Sequence, residues 1–87
     1  MHEHALITDL VRRIEAVARE NGARKVLRAK LVLGALSHLS VEHLREHFEE
    51  AARGTLAEGA ALEARLDPDL GAPHAQGIVL EAVEVED

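Results

Sequence analysis

Between Arg24 and Leu66 the spacing of apolar residues changes from two to about 3.6 and back to two, and this change constrains the fold more than any other feature of the chain. Leu27, Ala29, Leu31 and Leu33 alternate with Arg28, Lys30 and Val32. That is the pattern of a strand, Arg24 to Leu33, covered on one side. Val26 has the wrong parity for this set, which points to a bulge or a buried edge at the strand's start. Gly34 stops the strand. Val41, Leu44, Phe48 and Ala51 then recur at i, i+3, i+7 and i+10, one buried stripe of a helix. Ser40 suits its N-cap, Glu42 places negative charge at the positive end of the helix dipole, and Gly54 ends it. Thr55 to Gly59 is loop. From Ala61 to Leu66 the alternation returns, with Leu62, Ala64 and Leu66 set against Glu63 and Arg65. Strand, helix and strand in this order form a right-handed crossover between parallel neighbours.

The flanks complete the architecture. Ahead of the crossover, Leu6, Leu10, Ile14 and Val17 recur at helical spacing from Ala5 to Asn21, with Ile7, Val11 and Ala18 beside them. Gly22 suits the left-handed position after the last turn. Asp67 to Gln76 holds both prolines and no apolar period, so it reads as a loop. Ile78 to Glu86 is a last strand of unclear parity, because Ile78 and Leu80 offer one inward face while Val79, Val83 and Val85 offer the other. The loop is short enough for the second and third strands to pair antiparallel, and the order of the strands does not follow from the sequence. The expected fold is α+β, with two helices on one face of a mixed three-stranded sheet.

With 87 residues the chain is sized for one domain, residues 1–87. Phe48 is its one aromatic residue, so the core must be built from Leu, Val, Ile and Ala. A formal charge of −6 with no basic stripe argues against a nucleic-acid partner, which needs clustered Lys and Arg. The absence of stacking aromatics argues likewise for single strands. There is no cysteine, which excludes disulfides and cysteine-based zinc sites within these residues. No apolar run approaches the ~20 residues of a membrane span, and the N-terminus lacks a charged-then-apolar signal pattern. The expected location is the cytoplasm.

The first four residues, Met1-His2-Glu3-His4, carry the chemistry. Imidazole is the commonest metal-binding side chain. The Met1 amine and the His2 amide nitrogen can close a five-membered chelate ring on one ion, and the His2 imidazole can close a second ring with its own amide. The Glu3 amide lies alongside. Nitrogens in one plane suit Ni(II) or Cu(II) better than tetrahedral Zn(II). Alone, so short a motif is more often a solvated terminus with incidental histidines.

Several residues at ordered spacing raise the metal reading. These are Met1-His2-Glu3-His4; Arg24-Lys25-Val26 with Leu31, Leu33 and Gly34; Leu36-Ser37; Val41 with Leu44; Phe48-Glu49; Gly54-Thr55; Glu58-Gly59-Ala60 with Leu62; and Gly77 followed by Val83-Glu84-Val85-Glu86. In these the chain resembles the HypA/HybF family of nickel-binding accessory proteins for nickel-iron hydrogenase maturation. The resemblance implies Ni(II) held by the Met1 amine, the His2 imidazole and the His2 and Glu3 amides, with His4 as an auxiliary donor. It implies a GTPase partner of the HypB type and a hydrogenase large-subunit precursor as recipient. It implies delivery, not catalysis. One departure is large: the family's zinc-binding subdomain with two Cys pairs is replaced by a short loop over residues 67–77, so no zinc site is expected. The alternative is a protein-interaction module derived from this family that no longer handles metal.

Other candidates are weaker. His43 and His47 stand at i, i+4 on the second helix and share a face, but no third ligand is evident, and they read as solvated helix histidines. His38 and His74 fall in loops and read as surface residues. Ser37, Ser40, Thr8 and Thr55 are the hydroxyls considered as nucleophiles. None has a base held by an orienting group, Ser40 is better explained as a cap, and no carboxylate pair stands in an apolar context. An enzyme is not expected.

Overall fold

The computed structural model describes residues 2–36, 40–71, 73 and 77–86, and for residues 2–4 it describes the backbone. The elements run α1 (His2–Glu20), β1 (Lys25–Leu33), α2 (Val41–Ala52), β2 (Ala61–Leu66) and β3 (Ile78–Glu86). The fold is the expected α+β arrangement, with sheet order β2-β1-β3. β1 pairs with β2 in parallel and with β3 antiparallel.

The order that the sequence left open places β1 in the middle, so the second and third strands do not pair with each other although their connection is short enough to allow it. The reason sits at the end of β1. Leu31, Val32 and Leu33 are all buried, as fits a strand at the centre of the sheet. Asp67 N–H donates to the Leu33 carbonyl at 2.9 Å, and Gly34 N–H donates to the Gly77 carbonyl at 2.9 Å. Both ends of the β2–β3 connection are therefore tied to the tip of β1, one on each side.

Two bulges settle the parity questions. In the β1–β3 pairing Val26 faces Val85 and Arg28 faces Glu84, leaving Leu27 as the extra residue on β1. Val26 is thereby buried at 0% exposure, while Leu27, expected inward, is 45% exposed. The second shift, between Lys30 and Leu31, leaves Glu81 as the extra residue on β3. It reverses the strand's parity, so Ile78, Leu80, Val83 and Val85 all pack against the core. Ile78 and Leu80 are inward on one side of the bulge and Val83 and Val85 on the other, while Val79 is 36% exposed.

Both helices cover one face of the sheet. From α1 come Ile7, Leu10, Val11, Ile14 and Ala18, and from α2 come Leu44, Phe48 and Ala52. They share one cluster with Val26, Ala29, Leu31, Leu33, Ala57 and Leu62. On α1 the expected stripe is rotated slightly: Leu6 is 39% exposed, and Ile7 takes its place. The turn after α1 is closed by Gly22 N–H to Arg19 O and Ala23 N–H to Ala18 O, with Gly22 at φ 66°, the left-handed geometry glycine accepts most easily. Ser40 caps α2 as expected, its Oγ accepting from His43 N–H at 3.1 Å. The other face of the sheet is polar. Arg28 bridges Glu63 at 2.6 Å and Glu84 at 3.9 Å, and Arg65 meets Glu81 at 3.0 Å.

Candidate functional site

The helix pattern read from Ala5 begins earlier than expected, because α1 includes His2, Glu3 and His4. The Met1 amine and the side chains of His2, Glu3 and His4 lie outside the described residues, so the ligand set itself is not seen. What the backbone provides is a distinct chemical state. The first four N–H groups of a helix have no intrahelical acceptor. The amides of His2 and Glu3 belong to that set. A metal that deprotonates and binds them breaks no helical hydrogen bond, whereas amides further along the helix would each give one up.

The helix holds this end through side chains that begin at Ile7, 1% exposed, and continue at Leu10 and Val11. A second restraint acts lower down. Glu15, with a side chain 16% exposed, accepts from the Leu56 N–H at 3.2 Å and pairs with Arg19 at 3.4 Å. The Leu56 carbonyl in turn accepts from Val26 N–H at 2.9 Å. One residue of the loop after α2, Leu56, thus joins α1 to β1 through its N–H and its carbonyl. Nothing in the sequence distinguishes Glu15 from the other charges on its helix; only the fold brings Leu56 to it.

The remaining candidates fall where their local sequence directs them. His43 and His47 are both exposed on α2. His38, His74 and Ser37 lie outside the described residues. Thr55 is used by its own turn: its hydroxyl donates to Ala52 O at 2.7 Å and accepts from Ala57 N–H at 3.1 Å. Among the described residues no polar or charged side chain is buried, and no three His, Asp or Glu converge as a metal cage. No helix is long and apolar enough to cross a membrane.

Comparison with known proteins adds a second line. A family model described as "Hydrogenase/urease nickel incorporation, metallochaperone, hypA" matches residues 1–71. A hydrogenase maturation factor HypA of Chlorobium limicola is 44% identical over 63 residues, covering 72% of this chain and 54% of that protein. The HypA of a Bradyrhizobium species is 48% identical over 63 residues, covering 72% and 56%. The chain therefore spans just over half the length of these relatives. Among solved structures, the solution structure of the Ni metallochaperone HypA from Helicobacter pylori superposes with TM-score 0.80 at 16% identity, covering 97% of each chain. A second HypA solution structure gives 0.73 at 17% identity. At such identities the two structures speak for the fold alone.

Proposed function

This chain belongs to the HypA family, and from that premise we propose that it binds Ni(II) at its N-terminus and delivers it during nickel-iron hydrogenase maturation. The observation that carries the proposal is the start of α1. Met1-His2-Glu3-His4 stands where the helix leaves backbone nitrogens without acceptors, on a helix anchored from Ile7 onward. The Met1 amine, the His2 imidazole and the His2 and Glu3 amides supply four nitrogens in one plane, which suits Ni(II). His4 is an auxiliary donor. Nickel is cargo here, so the site must release as well as hold. A terminal site with no enclosing cage can exchange ligands with a receiving site step by step.

The partners are a GTPase of the HypB type and the hydrogenase large-subunit precursor, in the cytoplasm, with no nucleic acid, no membrane and no catalytic role for the chain itself. Residues 67–77 stand in place of the family's zinc-binding insertion in this single domain, and with no cysteine the chain offers no thiolate for zinc.

Calorimetric titration of untagged protein with Ni(II) tests this directly. The tag-free chain should bind one equivalent at the terminus, and His2→Ala or a Gly-Ser extension ahead of Met1 should abolish that event. If the variants bind as the parent does, the terminal site is wrong, and the interaction-module alternative takes its place.

A further inference from the structure

We infer that His43 and His47 form a second, weaker site for a borderline divalent cation on the flank of α2 that faces α1, level with the leading end of α1. Its use as a way-station for nickel rests on the terminal reading above; the site itself does not.

The argument begins with helix geometry. Residues four apart lie on one face, one turn above another. Leu44, Phe48 and Ala52 are buried and fix the rotation of α2, which leaves His43 and His47 together on the exposed side. The groove between the helices shows which flank that is. Thr8, Val11, Arg12 and Glu15 form one wall, and Ala51 and Thr55 the other. His47 precedes Ala51 by one turn and His43 precedes it by two, so the pair continues the row that faces α1.

The two helices also run in the same direction. α2 returns between the parallel strands β1 and β2, and α1 enters β1 through the tight turn at Gly22, so both run opposite to β1. Moving one turn up from Ala51 reaches His47, and one turn up from Thr8 reaches position 4. Each step is ~6 Å along its helix. The second site and the start of α1 therefore occupy the same end of the molecule.

The donor chemistry selects the ligand class. Imidazole pairs take Ni(II), Cu(II) or Zn(II) in preference to Mg(II) or Ca(II). Glu46 and Glu50, each three residues after one of the two histidines, are exposed on the same helix and supply negative charge. Because no three described donors converge, the site is open and completed by water, which favours rapid exchange over storage.

The test uses the full chain carrying a Gly-Ser extension before Met1, so the terminal site is blocked in every arm. NiCl2 is added, and the histidine ring resonances are followed by NMR. One Ni(II) should still bind, with perturbation concentrated on His43 and His47. Either His43→Ala or His47→Ala should weaken binding at least ~tenfold, since each removes the chelate partner of the other, and the double variant should show no ring-centred binding. Both positions are exposed and alanine favours helix, so far-ultraviolet circular dichroism should confirm that the variants fold. No binding by the extended chain, or equal binding by the double variant, overturns the inference. Failure of the terminal reading registers separately, as tag-free and extended proteins that take up the same number of nickel ions.

Discussion

At the residue scale the fold depends on contacts of unequal kind. Glu15 is the clearest case, because its carboxylate accepts from the backbone N–H of Leu56, and the carbonyl of the same residue accepts from Val26 N–H. Hydrogen bonds to charged groups are worth ~1.5–3 kcal/mol. Glu15→Ala should lower urea stability by about that amount, while Glu20→Ala, on an exposed position of the same helix, should change it by no more than ~0.5 kcal/mol. Equal effects would show that the Leu56 contact contributes nothing. This contact was not legible in the sequence, since a carboxylate on a polar helix face carries no mark of its partner. The candidate at His2 is of a different kind: it rests on a histidine next to Met1 and on the amides that open α1, a short-range arrangement that needs no tertiary information.

At the element scale, periodicity located all five elements, and the errors lie where backbone irregularity intervenes. Ser40 was readable as a cap and is one; Ser40→Ala should cost ~1 kcal/mol in denaturant unfolding. The parity conflict at Val26 was readable as a bulge, but which residue would be displaced was not. Leu27→Ser should be tolerated within ~0.5 kcal/mol, whereas Val26→Ala removes buried methyls and should be clearly destabilising. The reverse order in chemical denaturation would mean that β1 is registered on the opposite parity. The last strand was ambiguous for a related reason. A single extra residue at Glu81 puts Ile78 and Leu80 on the same face as Val83 and Val85 and leaves Val79 outward, and no strict alternation can express that. Strand order was illegible because a connection long enough to join neighbours is also long enough to cross one strand. Hydrogen bonds from Asp67 and Gly34 at the tip of β1 decide between the two.

At the scale of the whole molecule, the proposed nickel site and the core are separate. The core cluster runs from Ile7 to Leu62, and the described side chains ahead of it, Ala5 and Leu6, are exposed. Folding should therefore not require metal: chelator treatment should leave the far-ultraviolet circular dichroism of the protein unchanged, unlike domains whose zinc is part of their folding free energy. Added Ni(II) should raise the free energy of unfolding only by mass action, ~2.7 kcal/mol at a free concentration one hundred times Kd. Acid should weaken nickel binding, because amide and imidazole donors must lose protons to bind and a falling pH opposes that loss. Nickel affinity independent of pH would exclude amide ligation. The most direct measurement of the central claim is circular dichroism in the nickel d–d region after one equivalent of Ni(II) is added to tag-free protein. The account predicts the bands of planar, four-coordinate nickel, absent when residues precede Met1. A tag-free spectrum with no such bands, or one unchanged by the extension, contradicts it.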